Sequence, residues 1–304
     1  MATEPPEEPG AAEVEAARAR IARYVRRTPT FRLSLRGRPL VLKLEHLQSS
    51  GSFKLRGALN AMLSAPRSPV VTASGGNHGL GVATAAALLG VRATIVVPTS
   101  TPESKARRIA ATGAELVRRG ESYAAAAEEA ARRVGRGEGR DVPAYDHPDV
   151  VAGQGTVASE VVEDVPEVDA LVVAVGGGGL AAGCSLAAGG RTVVAVEPER
   201  CCCLHDALLA GQPVDSPVDS IASSALGATR VGTLPFRLLR KASLSSVLVT
   251  DDELLAARDL LWEEARLAVE PAAAAGLAAL LAGRVDARLP CLVLCGANTD
   301  WTPS

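Results

Sequence analysis

Lys54 sits between an aromatic residue and a glycine turn in Ser52-Phe53-Lys54-Leu55-Arg56-Gly57-Ala58, just after Gly51 closes a polar loop. A lysine at such a position can be an ordinary solvated charge. Taken out of water, its amine can instead attack a carbonyl carbon or remove a proton from carbon. Two glycine-rich stretches favour that second chemistry. Gly176-Gly177-Gly178-Gly179-Leu180 follows an all-apolar run and opens a helix of small residues. It sets consecutive backbone N–H groups at a helix N-terminus with no side chains in the way, an anion site suited to phosphate. No Gly-Lys-Ser/Thr follows, so it is not a Walker A loop, and it lacks the spacing of a full dinucleotide fingerprint. Ser74-Gly75-Gly76-Asn77-His78-Gly79 also joins a strand to a helix and adds a hydroxyl, an amide and an imidazole, a set that suits a carboxylate. A lysine, a phosphate cradle and a carboxylate nest on three separated segments point to an imine-forming cofactor that carries its own phosphate.

The elements that must hold these loops alternate along the chain. Apolar residues at helical spacing predict a helix from Glu13 to Arg26, stopped by Thr28-Pro29. A strand at 39–44 feeds the loop before a helix at 53–63, so Lys54 falls at a helix beginning. Then come a strand at 70–72, a helix at 80–89 ended by Gly90, a strand at 93–97, a helix at 102–112, a short strand at 114–117 and a helix at 122–133. Gly153-Gln154-Gly155-Thr156 is read as opening a helix at 156–163. The apolar runs 170–175 and 193–196 have the character of strands buried on both faces, and 292–294 is the last of them. Residues 204–247 are less regular, 251–267 is a helix capped by Asp252 or Thr250, and 272–281 is helical. Strand and helix alternation of this kind predicts a parallel sheet.

Composition narrows the function. With 304 residues and 47% of them apolar, the chain can bury a large core, and its net charge of −2 offers no basic footprint for nucleic acid. Aromatic residues are 3%, too few for base stacking or a membrane belt, and no apolar run is long enough to span a bilayer. The cysteines Cys184, Cys201, Cys202, Cys203, Cys291 and Cys295 form no C-x-x-C pair, which leaves zinc without a cage and makes a reduced, cytoplasmic compartment the expectation.

Taken together, Ser-Phe-Lys-x-Arg-Gly-Ala, Ser-x-Gly-Asn-His-Gly, the tetraglycine loop, Val196-Glu197-Pro198, Val269-Glu270-Pro271-Ala272 and the terminal Cys-Gly-x-Asn resemble the serine/threonine dehydratase family, nearest its serine dehydratase branch. The likeness runs in the family's order from about residue 20 to residue 300. It implies pyridoxal 5'-phosphate as cofactor and an α/β, two-domain fold of the tryptophan-synthase-β type, each domain a mostly parallel sheet flanked by helices. Residues 13–66 plus 149–304 would form the larger domain and 67–148 the smaller, with the cofactor between them and residues 1–12 a disordered leader. Position by position, the resemblance makes Lys54 the Schiff-base lysine and Phe53 the residue packed on the pyridine ring. Asn77 would bond the ring hydroxyl, and Gly176, Gly177, Gly178, Gly179 and Leu180 would hold the phosphate. Cys295 falls beside the pyridine nitrogen, where a neutral thiol does not keep that nitrogen protonated. Ser74, Gly75, Gly76, Asn77 and His78 would bind the substrate. The implied reaction is β-elimination from a β-hydroxy amino acid, foremost L-serine or L-threonine, giving a 2-oxo acid and ammonia, with Lys54 as base and the cofactor phosphate protonating the departing hydroxyl.

Departures from the family pattern shape further expectations. Racemising members carry a second serine where this chain has Gly75, so dehydration is favoured over serine racemisation, and Gly75 is expected to leave extra room beside the substrate. A β-replacement synthase, and dehydration of 3-hydroxyaspartate or phenylserine, stay open, although no cationic partner for a second carboxylate stands out. Racemase-like members hold a divalent cation through a glutamate and an aspartate six residues later. Glu197 is present here but the later position is Cys203, so magnesium is not expected. A monovalent cation such as K+ could instead sit near Glu197, Cys201, Leu226 and Ala228. The chain stops soon after Leu294, so no regulatory domain and no control by isoleucine are expected. Family habit implies a homodimer.

Overall fold

Residues 8–302 are described by the computed structural model. Their strands are β1 (Thr30–Leu35), β2 (Arg38–Lys43), β3 (Val70–Ala73), β4 (Ala93–Val97), β5 (Glu115–Arg118), β6 (Arg140–Asp141), β7 (Ala170–Ala174), β8 (Thr192–Pro198), β9 (Leu244–Val249) and β10 (Pro290–Val293). They form a six-stranded sheet in the order β1-β2-β10-β7-β8-β9 and a four-stranded sheet in the order β5-β4-β3-β6. Every pairing is parallel except β1 with β2. β7 is buried along its whole length and β8 along all but its first residue, as strands covered by helices on both faces must be. β1 and β2 form a hairpin over Arg36 and Gly37, both at positive φ, the turn that matches strand twist. β1 escapes sequence reading because Thr-Phe-Arg-Leu-Ser-Leu, at a sheet edge, has one buried residue, Leu35.

Three expectations are corrected. The supposed leader does not extend to residue 12: a helix runs over Ala11–Ile21, started by the Glu13 carboxylate accepting the Gly10 N–H, while Pro9 is buried and Glu8 pairs with Lys241. Residues 1–7 of that leader lie outside the described residues. The helix expected at 156–163 begins at Pro148, with His147 accepting the Asp149 N–H, and runs to Asp164. Gly153 and Gly155 are therefore mid-helix, and they are small because neighbours touch the backbone there. A Cβ on Gly153 would stand 2.7 Å from Gly57 Cα, and one on Gly155 would stand 2.7 Å from the Gly183 carbonyl. The helix expected from Leu80 starts at Asn77, so the second half of the polar glycine loop is its first turn. Residues 204–247 hold helices Cys203–Ala210, Ser223–Leu226 and Thr233–Leu239 and the start of β9.

The key loops all leave the carboxyl ends of parallel strands, where open α/β sheets place their ligands: 44–53 after β2, 74–76 after β3, 142–147 after β6, 175–178 after β7 and 294–298 after β10. Among the described residues no helix is long and apolar enough to cross a membrane.

Candidate active site

Gly51, at φ +73, turns the chain toward β10, where Ser52 bridges Gly296 and the Phe53 N–H donates to the Cys295 carbonyl at 3.1 Å. That bridge sets Lys54 at the start of the helix Lys54–Leu63, beside Cys295. The Lys54 Nζ donates to the Ala144 carbonyl at 2.8 Å. Gly81 lets the helix Asn77–Leu89 press against it, since a Cβ there would come within 3.1 Å of Lys54 Cβ. Burial pushes the Lys54 amine from its ordinary 10.5 down to about 8. The Cys295 thiol moves the other way: burial, helped by Glu270, holds it well above its ordinary value, so it stays protonated.

Phe53, Lys54, Asn77, Tyr145, Glu270 and Cys295 share one cleft of about 440 Å3, open mouth included, with residues 174–180. Gly178, at φ +89, turns β7 into the helix Gly179–Leu186. The N–H groups of residues 176–180 find no acceptor among the described residues. An array of unpaired donors at a helix N-terminus is costly unless an anion meets it, so the loop fits a phosphate. The glycines are required on their far side too, because a Cβ on Gly177 would lie 2.3 Å from the Tyr145 ring.

Asn77 donates to Glu270 Oε1 and accepts from Asn298 Nδ2, both at 2.7 Å. This fixes the amide and leaves it one further N–H and one lone pair for a ligand. Glu270 is buried and its carboxyl is raised above the ordinary range, first by burial, with the Asn77 bond opposing. Gly296 makes room for it, since a Cβ there would meet Glu270 Oε1 at 2.5 Å. Glu270 and Asn298 lie in stretches that the sequence singles out, without a role assigned there. Tyr145 and Ala144 carry no sequence signal, because they follow a two-residue strand too short to read.

In the loop after β3, the Ser74 hydroxyl accepts the Gly76 N–H at 3.2 Å, while the N–H groups of Gly75, Asn77 and His78 find no acceptor among the described residues. That is a second anion nest. The His78 side chain turns away: Nε2 donates to the Val142 carbonyl at 2.8 Å, and burial followed by the nearby Lys54 lowers the imidazole to about 3, so it orients the loop as a neutral ring. The extra room expected at Gly75 is absent. Thr101 fills it, with Cγ2 and Oγ1 each 2.9 Å from where a Cβ would stand. Gly75→Ala should therefore lower kcat/KM on the order of tenfold by displacing the nest. Thr101→Ser should not restore it, whereas Gly75→Ala/Thr101→Gly should, with a non-additivity of about 0.5–3 kcal/mol in a double-mutant cycle. Strict additivity would show that the two residues do not share the space.

Lys105 and Arg108, from the helix Glu103–Ala110, line a cavity of about 290 Å3 with Gly75, Gly76, Asn77 and Glu270.

At the position named for a monovalent cation, hydrogen bonds within the chain already reach the Glu197 side chain and the Leu226 carbonyl. Both Glu197 oxygens accept backbone N–H groups, from Leu204 at 2.9 Å and His205 at 2.8 Å, which caps the helix Cys203–Ala210. The Leu226 carbonyl already accepts the Ala228 N–H at 2.8 Å and the Cys201 thiol at 3.2 Å.

Fold and cleft together define an α/β enzyme that sets a lysine of lowered basicity between two backbone anion nests. Residues 21–296 match the family described as pyridoxal-phosphate dependent enzyme, and the chain belongs to it. Human serine racemase is 38% identical over 96% of this chain and 92% of its own length. The L-threonine ammonia-lyase of Geobacter sulfurreducens is 39% identical over 87% of this chain and 68% of its own. Among solved structures, a threonine deaminase from T.th. superposes with a TM-score of 0.90 at 35% identity, over 97% of this chain and all of that one. Maize serine racemase does so with a TM-score of 0.91 at 30% identity, over 97% of this chain and 95% of that one. The family and these neighbours bear out the α/β, tryptophan-synthase-β-like fold.

Proposed function

We propose that this chain is a pyridoxal-phosphate ammonia-lyase that eliminates the β-hydroxyl of L-serine or L-threonine to give a 2-oxo acid and ammonia. The observation that carries it is the convergence of the Lys54 amine, the unpaired N–H groups of residues 176–180 and the nest at 75–78 on adjoining space. Bound there, the cofactor supplies an electron sink for the pair released at Cα. The N–H groups of Gly75, Asn77 and His78 grip the substrate carboxylate, and the Ser74 hydroxyl holds their loop. The Lys54 amine, lowered to about 8, is half neutral near pH 8, and its neutral form accepts the Cα proton. Cys295, a protonated thiol lining the cleft, would offer a bound ring nitrogen a neutral partner in place of a carboxylate, which would favour elimination. One proton leaves Cα and one departs with the hydroxyl; water then hydrolyses the released enamine, so the net products are the 2-oxo acid and ammonia. Phe53, Asn77 and residues 176–180 hold ring and phosphate. The division into 13–66 plus 149–304 and 67–148, a cytoplasmic location and a homodimeric state belong to the same proposal. The two-sheet arrangement and the family support the division.

Two observations favour second readings. Relatives named serine racemase, together with a Thr101 hydroxyl in the side-chain space of Gly75, favour racemisation. Lys105, beside an Arg108 that is paired with Asp300, favours a substrate with a second carboxylate. The test is release of 2-oxo acid and formation of D-amino acid from L-serine, L-threonine, phenylserine and 3-hydroxyaspartate. Release from L-serine or L-threonine is expected; D-serine without 2-oxo acid would overturn the proposal in favour of racemisation.

A further inference from the structure

The peptide planes of the glycine loop are held from behind. In a trans peptide the C=O and the next residue's N–H point opposite ways, so whatever holds the carbonyl aims the amide. The Gly177 carbonyl accepts the Gly232 N–H at 3.1 Å, which aims the Gly178 N–H. The Gly176 carbonyl accepts the Cys203 thiol at 3.3 Å, which aims the Gly177 N–H. Two residues earlier, the Cys201 thiol donates to Leu226, whose backbone abuts Gly176: a Cβ on Gly176 would lie 3.0 Å from Leu226 Cα. Both thiols are buried, as is Glu197, whose oxygens are spent on the helix cap.

We propose that Cys203 is a positioning residue for the phosphate cradle and that, with Cys201, it does behind the glycine loop what a bound cation would do, so that cofactor binding in this chain is independent of K+ and Mg2+. A cation behind the loop would draw carbonyl oxygens toward itself; here S–H donors do so at the Gly176 and Leu226 carbonyls. The inference rests on reading residues 176–180 as the phosphate cradle.

The test compares pyridoxal phosphate with pyridoxal, which lacks the phosphate, as ligands of the full-length apoprotein. Cys203→Ala should weaken pyridoxal phosphate about fivefold, the scale of one lost hydrogen bond, and leave pyridoxal unchanged. Cys203→Ser, which keeps a donor, should recover part of the loss. The wild-type thermal midpoint and cofactor affinity should not move when KCl is exchanged for choline chloride, or with added MgCl2. Cys203→Asp should acquire a stabilisation by MgCl2 that the wild type lacks. Equal weakening of both ligands by Cys203→Ala, no weakening at all, or a wild type stabilised by either cation would overturn the proposal. A wild type that binds the two ligands equally well would sink the cradle reading and this proposal with it. Should Cys203→Ala fail to fold, the serine variant and the wild-type cation series still decide the matter.

Discussion

Lys54→Ala will lower turnover by on the order of 10^3-fold or more while the protein stays folded, because it removes at once the covalent anchor and the base at Cα. The fold should survive. Lys54 spends its ammonium on a single carbonyl, that of Ala144, and burial already opposes its charge. The variant should still hold pyridoxal phosphate through the glycine loop, yet form no adduct that borohydride can trap on the protein. Retained trapping would assign the anchor to another amine. The same residue sets a pH signature. Its folded value of about 8 lies below the ordinary 10.5, so the cost of burying the charge is fully present below about pH 8 and fades as pH rises toward 10.5. The apoprotein should thus gain stability relative to Lys54→Met across that window. Only the neutral amine attacks an aldehyde, so the rate of adduct formation should rise with a midpoint near 8. A midpoint near 10 would mean that the amine is solvated.

Arg56→Met will cost about 3–5 kcal/mol of stability, the scale for breaking a buried ion network on one side. Arg56 is fully buried two residues beyond Lys54. Its Nε and Nη2 donate to Glu45 at 2.9 and 2.8 Å, and Nη1 and Nη2 to Glu160, each at 2.8 Å. Lys43 completes the set on Glu160, making two cations against two carboxylates with no net charge. Without Arg56 the carboxylates face one cation between them. The thermal midpoint of the apoprotein should fall on the order of 10 °C. A fall under 1 °C would show that the network contributes nothing beyond packing. For Glu160, burial alone would raise its carboxyl, but Arg56 and Lys43 outweigh it and hold the group below its ordinary 4.5. The stability it contributes is therefore present above that value and lost as pH falls below it, and Arg56→Met should flatten that acid limb.

That network marks where sequence reading stops. Lys43, Glu45, Arg56 and Glu160 come from β2, the loop after it and two helices, and nothing in their spacing announces that they meet. By contrast β7 and β8 could be read from apolar runs, and Lys54, Asn77 and residues 176–180 from loops whose small residues imply backbone chemistry. Gly153 and Gly155 misled because glycine signals a helix end as readily as a close helix contact, and only the neighbouring Gly57 and Gly183 decide which. β1 and β6 were missed because an edge strand with one buried residue and a two-residue strand carry no apolar period. Thr101 shows the same limit on a smaller scale: whether Gly75 leaves a void depends on a loop beyond the next strand.

The segment after β10 reaches from one sheet to the other. Asn298 donates to the Ser50 carbonyl on one side and to Asn77 on the other. Asp300 accepts from Ser104 and Arg108, with the Arg108 pair at 3.0 Å and half-exposed. Exposed pairs contribute at most about 1 kcal/mol and are screened by salt over roughly 8–10 Å at physiological ionic strength. The outer end of this strap is thus fastened by charge that salt weakens, while its inner end is fastened by the neutral amide of Asn298, whose two hydrogen bonds are far less sensitive to ionic strength.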